Sequence, residues 1–263
     1  MIDKAKLVSN TVENPKLIHA IAKGLSKEEA GILDRHYLFC RRYLTHEGSS
    51  FVIKTGPKQS NISNLCIELN PSHFSGLKEL NSILSTITPL ESLRFTRLDY
   101  SSDLPVRYID LWKSIDVKYK VLRDRYRSSQ PTGLYFGSNN HLVNVYDKTN
   151  RSFPEQPITR IEAREKHKSL TVNKISELHK LLEHNPFDCL RIMNLKDPTS
   201  YGSPKSYEKL KNEIDRDGLS VARKILGRQN NFEKTYGRYL EPSPYLEQLN
   251  ENHKNEITKF LRS

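Results

Sequence analysis

Cysteine, methionine and tryptophan are scarce here: three, two and one among 263 residues. The cysteines, Cys40, Cys66 and Cys189, are odd in number, widely spaced and set among apolar neighbours. A disulfide scaffold is therefore excluded, and no Cys-x-x-Cys pair offers a zinc site; the thiols read as reduced core residues. No apolar run approaches the roughly 20 residues of a membrane-spanning helix, and the first ten residues lack a signal-peptide core. A soluble, cytoplasmic protein with no membrane partner is expected. His-x-His triplets are missing too, and His141 and His167 stand alone.

Acidic residues are outnumbered, 31 against 42 lysines and arginines, for a formal net charge of +11. That balance favours a polyanionic partner, nucleic acid ahead of an acidic membrane surface. The length suits one large domain, or a core with a smaller companion.

Periodicity divides the chain into three parts. Residues 1–46 read as a helical N-terminal segment, with Ile18, Ile21, Leu25, Ile32 and Leu38 at apolar spacing and Ser26-Lys27-Glu28-Glu29 as a capping-type start. Residues 47–170 read as an α+β core. Strands are predicted over 50–54, 62–69, 93–100, 118–122, 133–136, 141–146 and 159–165, and helices over 73–86 and 106–115. Gly137-Ser138-Asn139-Asn140 supplies a hairpin turn. The order of elements resembles a split βαβ, ferredoxin-like antiparallel-sheet core. Residues 171–263 read as a helical C-terminal part, with a linker near 197–205.

Acids inside strand-like runs are the sharpest signal. Asp99 stands in Arg97-Leu98-Asp99, Glu162 in Arg160-Ile161-Glu162-Ala163-Arg164, and Glu68 in Cys66-Ile67-Glu68-Leu69. A half-buried carboxylate needs a partner, because leaving it unpaired costs several kcal/mol. If the strands are neighbours, Asp99, Glu162 and Glu68 converge and suit Mg²⁺ or Mn²⁺, which prefer oxygen ligands. The alternative is structural pairing, Asp99 with Arg97 or Arg160. Asp103, beyond the first motif, reads as a cap for the helix after Pro105. Lys148, in Val145-Tyr146-Asp147-Lys148, could meet a phosphate as a point charge.

Together, Arg-Leu-Asp-x3-Asp at 97–103, Tyr-Phe-Gly-Ser at 135–138, Val-Tyr-Asp-Lys at 145–148 and Arg-Ile-Glu-Ala-Arg-Glu-Lys at 160–166 resemble motifs of rolling-circle replication initiators of phages and plasmids. The nearest branches are trans-acting plasmid initiators and the filamentous-phage nicking initiator, with related relaxases of integrative elements. Cys-Ile-Glu-Leu-Asn-Pro at 66–71 resembles the strand before the first helix of the phage branch. The similarity covers about residues 60–170.

The resemblance implies an enzyme: a DNA nicking-joining endonuclease that binds an origin, as duplex and as single strand. A metal held by Asp99 and Glu162 would activate the phosphodiester, and a tyrosine would attack it, leaving a 5′-phosphotyrosyl link and a 3′-hydroxyl that primes synthesis. Arg160, Arg164, Lys148 and Lys166 would hold the backbone, with Arg97 beside them. A host helicase and a second copy of the chain are further implied partners. One departure matters: the position of the tyrosine that some plasmid initiators carry in the Arg-x-Glu motif is Ile161, and residues 147–200 contain no tyrosine. Tyr146, Tyr201 and Tyr207 are the candidate nucleophiles, Tyr207 having lysines within a turn of it.

Two further stretches suit DNA. Lys118, Lys120, Arg123, Arg125 and Arg127 interleave with Tyr119 and Tyr126, as in a phosphate track with stacking platforms, or as a lysine-rich edge strand. Residues 219–240 read as a helix-turn-helix or a plain helical hairpin. Two rival functions use the same features: a non-catalytic DNA-binding regulator, and a single-stranded RNA-binding protein.

Overall fold

The computed structural model describes residues 1–11, 15–25, 27–31, 33–45, 48–117, 122–127, 130–138, 140–149, 155–197, 204–227 and 231–263. Thirteen strands are described: β1 (Ile2–Ser9), β2 (Lys27–Gly31), β3 (Tyr37–Leu44), β4 (Ser50–Pro57), β5 (Leu65–Leu69), β6 (Arg94–Leu104), β7 (Ile115–Val117), β8 (Leu122–Arg127), β9 (Gln130–Gly137), β10 (His141–Asp147), β11 (Thr159–Lys166), β12 (Leu190–Leu195) and β13 (Leu240–Pro242). The helices are α1 (Pro15–Leu25), α2 (Leu77–Ile87), α3 (Tyr108–Leu111), α4 (Pro204–Asp217), α5 (Leu219–Gly227), α6 (Phe232–Thr235) and α7 (Pro244–Arg262), with short 3₁₀ turns between. Ten strands make one antiparallel sheet in the order β2-β3-β4-β5-β1-β6-β11-β10-β9-β8, and β13-β12-β7 make a small second one.

The first strand corrects the expectation of a helical N-terminus. β1 lies between β5 and β6, with Lys6 opposite both Glu68 and Arg97. Its burial alternates, Ala5 and Leu7 inward and Lys4 and Lys6 outward. Hydrogen bonding on both edges outweighs the weak helical spacing of the segment. Residues 27–31, expected to start a helix, are strand instead, and β3 follows; only α1 is helical in this part. β5 and β6 each run antiparallel to β1, so they are parallel to one another, and α2 makes the connection between them.

Helices α1, α2 and α7 and the 3₁₀ segment Ile175–Leu182 place Ile18, Ala22, Leu80, Leu84, Leu178, Leu249 and Ile257 in the same core as Leu7, Ile53, Ile67, Leu98, Val145 and Ile161 of the sheet. In α2 the buried residues recur at three- and four-residue steps, Leu80, Leu84 and Ile87, as one helical stripe requires. The C-terminal part has its own core, in which Tyr207, Leu210, Leu219, Ala222, Phe232 and Tyr239 pack together. That part is not purely helical, since β12 and β13 belong to it. Of the 219–240 segment, read as a helix-turn-helix or a hairpin, α5 and α6 are described, and residues 228–230 between them lie outside the described residues. Cys40, Cys66 and Cys189 are buried free thiols. Among the described residues no helix is long and apolar enough to cross a membrane.

The β9–β10 hairpin turns where expected. Gly137 has φ +116°, and a Cβ there would lie 2.1 Å from the carbonyl oxygen of His141. That oxygen also accepts the Ser138 N–H at 2.7 Å, so it cannot retreat without opening the turn. Gly137→Ala is expected to destabilise the protein by at least about 2 kcal/mol. An unchanged urea midpoint would show that the hairpin tolerates a different turn.

Candidate functional site

The alternate residues of β6, β11, β10 and β1 form the face of the sheet opposite the helices. Cross-strand register fixes who meets whom there: Arg97 faces Lys166, Asp99 faces Arg164, Ser101 faces Glu162 and Asp103 faces Arg160. β10 continues two of these rows, with Asn144 opposite Glu162 and Tyr146 opposite Arg160. Because strand side chains alternate, each outward residue has a buried inward neighbour: Leu98, Tyr100, Ile161, Ala163, Val143 and Val145 are all in the core.

Asp99 is 5 % exposed and is gripped by two guanidinium groups. Arg97 donates to it from Nε at 2.7 Å and also from Nη2, and Arg164 donates from Nε and Nη2 at about 3.1 Å. These partners overcome the burial that would raise its pKa and hold the carboxyl below its ordinary range. Asp103 accepts from Arg160 Nε at 2.6 Å and Nη2 at 3.0 Å, and from Lys148 Nζ at 2.9 Å. It is therefore part of the ion-pair ladder and not a helix cap. Arg107, not Asp103, is the residue that precedes α3. Glu68 accepts from Lys54 at 3.0 Å and lies 3.4 Å from Lys6.

Glu162 differs from the other acids. Its Oε1 accepts the hydroxyl proton of Tyr146 at 2.7 Å. Burial and the adjacent carboxylate both favour the neutral phenol, so the Tyr146 pKa is pushed well above its ordinary value. Ser101 Oγ and Asn144 Oδ1, in the same row as Glu162, are buried without a hydrogen-bond partner among the described residues. Unsatisfied buried polar atoms are uncommon and costly, so this row has unused capacity for a bound group.

Expected site residues are distributed as follows. Arg97, Asp99, Asp103, Tyr146, Lys148, Arg160, Glu162, Arg164 and Lys166 share one face over three adjacent strands. Glu68 shares that face but stands two strands beyond β6. Tyr207 is 6 % exposed in the C-terminal core, and its hydroxyl donates to the carbonyl of Lys196 at 3.1 Å. It is a packing residue remote from the ladder. Tyr201 and Lys120 lie outside the described residues, as do the side chains of Arg123, Arg125 and Arg127 on β8. Strict alternation along β6 would put Phe95 on the face of Asp99, but it is buried in the core because a β-bulge between the Lys6 and Leu7 pairings shifts the register. Sequence reading missed Lys4, Lys6, Arg42 and Asn144. For Lys4, Lys6 and Arg42 the strand alternation lies in a segment whose apolar spacing reads as helix; Asn144 lies in a predicted strand but is a neutral amide with no charge to mark it.

The carboxylates as arranged do not fit a resident divalent cation. Asp99, Asp103 and Glu68 already carry cationic partners, and among the described residues no group of three His, Cys, Asp or Glu side chains is placed to hold a metal. What the arrangement offers is a tyrosine hydroxyl bonded to a carboxylate, flanked by arginines and lysines suited to phosphate. No protein-family model matches the chain, and no curated protein is similar to it at a meaningful level.

Proposed function

We propose that this protein nicks single-stranded DNA in the manner of a rolling-circle replication initiator, with Tyr146 as nucleophile and Glu162 as its proton acceptor. The observation that carries the reading is the 2.7 Å hydrogen bond from the Tyr146 hydroxyl to Glu162, set on a face lined by Arg97, Arg160, Arg164 and Lys166. Because the phenol is held protonated, attack requires a base in contact with it, and Glu162 is that base. As the Tyr146 Oη–phosphorus bond forms, the proton passes to Glu162. The phosphorus–O3′ bond breaks, and the departing oxygen takes a proton from solvent. The products are a 5′-phosphotyrosyl enzyme and a free 3′-hydroxyl. Arg160 and Arg164 are positioned to offset charge on the phosphoryl oxygens, which is the main electrostatic task of such a site. The β5–α2–β6 connection around β1 supports reading the middle of the sheet as a ferredoxin-like split βαβ core, widened on both sides.

A second reading is favoured by the clamped state of Asp99, Asp103 and Glu68: a neutralised, ordered surface that binds DNA without cutting it. One experiment separates the two. The protein is incubated with a labelled single-stranded oligonucleotide library, with and without Mn²⁺, and run on a denaturing gel. A covalent adduct is expected, abolished in Tyr146→Phe and lowered about 10²-fold or more in Glu162→Gln. Adduct formation that survives Tyr146→Phe would move the nucleophile elsewhere. Tight binding with no adduct on any oligonucleotide would leave the binding module.

A further inference from the structure

A recess on the same face of the sheet lies away from Tyr146 and shares only Arg97 with the residues of the proposed nicking site. It is about 350 Å³ in volume, and Lys4, Lys6, Arg42 and Arg97 line it with Glu68 as the single carboxylate. Strand register explains its shape. Arg42 faces Val52 across β3 and β4, Val52 faces Glu68, Glu68 faces Lys6, and Lys6 faces Arg97. One row therefore carries three long cationic side chains around a short valine on β4. Ser50 and Asn70 extend this low floor toward Lys4. The volume is within the lower part of the range for small-ligand sites, about 300–1,000 Å³.

The lining carries four cations and one carboxylate, Glu68, which Lys6 shares with Lys54, while Arg97 also holds Asp99 at the border of the recess. Protection of a sheet edge does not account for this charge, since β1, β5 and β6 are interior strands paired on both sides. Cationic crowding continues toward β11, where burial together with Arg164 and Arg97 lowers the pKa of Lys166. An anion at this end of the face would relieve that repulsion.

We infer that the Lys4–Lys6–Arg42–Arg97 recess binds a backbone phosphate of single-stranded DNA and anchors the strand whose scissile bond lies at Tyr146. The inference rests on the reading of the sheet face as a DNA-nicking surface. From β5 to β10 is four strand spacings, about 19 Å at roughly 4.8 Å each. Arg97 and Asp103 are six residues apart along β6, about 20 Å at roughly 3.4 Å per residue. The separation is thus on the order of 25 Å, within the span of a single-strand footprint of about 4–16 nucleotides. Lys166 and Arg164 stand between the two ends.

The test measures fluorescence anisotropy of labelled mixed-sequence oligonucleotides of increasing length against the full chain and against Lys4→Ala/Arg42→Ala, with Lys4→Arg/Arg42→Lys as a charge-preserving control. Neither residue touches Tyr146 or Glu162. For the wild type, affinity is expected to rise with length until the strand spans both ends. The alanine pair should lose about tenfold affinity for long oligonucleotides and little for the shortest. Its salt slope should fall by about 0.7, corresponding to one lost phosphate contact on single strand. The control pair should bind like wild type. Equal affinity and salt slope in the alanine pair, at unchanged melting temperature, would overturn the recess as an anchor. Competition by deoxynucleoside monophosphate, with no dependence on oligonucleotide length, would also overturn it and leave a mononucleotide site. The adduct assay distinguishes the two levels: adduct with unaltered binding in the alanine pair refutes the recess alone. Length-dependent binding that the pair weakens, with no adduct, refutes the nicking reading alone.

Discussion

Asp99→Ala is expected to lower the unfolding free energy by about 2–4 kcal/mol, somewhat less than the ~3–5 kcal/mol of breaking a fully buried ion pair. Removing the carboxylate leaves the Arg97 and Arg164 guanidiniums side by side without their shared anion. Both keep about 30 % of their side-chain surface in water, which lets them partly rehydrate. Asp99→Asn retains shape and one acceptor, so about half the loss is expected. Because the folded-state pKa of Asp99 is depressed, its stabilisation is fully present above the ordinary carboxylate value near 3.8 and disappears as pH falls through the folded value. The gap between wild type and Asp99→Ala should accordingly close below about pH 4. Urea unfolding at pH 7 and at pH 3 measures both effects, and identical midpoints at pH 7 would remove Asp99 from the stability of the sheet. The same samples address the cation implied by the resemblance. With two guanidiniums on Asp99, Mn²⁺ is expected to shift the melting temperatures of wild type and variant alike. A shift in the wild type alone would return Asp99 to a ligand role.

Acid should weaken the fold well before the carboxylates titrate. His253 on α7 is 3 % exposed, and neither ring nitrogen has a well-formed hydrogen bond among the described residues. Tyr100 and Phe187 pack edge-to-face against it at ring separations of 5.5 and 5.6 Å. Burial first, then the Met1 amino group and His184, lower its pKa to about 3. The unfolded chain takes up a proton near 6.5 that the folded chain refuses. The contribution of His253 is therefore intact above pH 6.5 and is lost as pH drops from 6.5 toward 3, by about 1.4 kcal/mol per unit. Between pH 6.5 and 4.5 the expected loss is roughly 2.5 kcal/mol. Asp34, with its pKa lowered to about 2 mainly by hydrogen bonds from His36 and Lys54 against the effect of burial, contributes only below about pH 4. The Met1 amino group, lowered to about 6 by burial, acts higher, between 8 and 6. His253→Phe, of similar shape and beside Tyr100 and Phe187, should flatten the curve between 6.5 and 4.5. An equally steep curve in that variant would assign the slope to other groups.

Several parts of this molecule were written in local sequence. The alternation Thr159–Lys166 reads one way only, with Arg160, Glu162, Arg164 and Lys166 outward and Ile161 and Ala163 inward, because the side-chain period of a strand is two. The stripe of α2 and the Gly137 turn were legible for the same reason: each is decided by neighbours within a few residues.

Tertiary structure decided the rest. Whether residues 2–9 form a strand depends on partners some 60 and 90 residues away, which no local periodicity records. Which face Phe95 takes depends on a single bulge against β1. Tyr146 rather than Tyr207 stands beside Glu162 because β10 pairs with β11, whereas α4 packs into a separate core. Asp99 is clamped by two arginines because one precedes it on its own strand and the other faces it from the next. Local sequence thus fixed the types of residue available and, away from the β6 bulge, the side of the strand each occupies. Long-range strand pairing fixed which of them meet, the Tyr146–Glu162 contact among them.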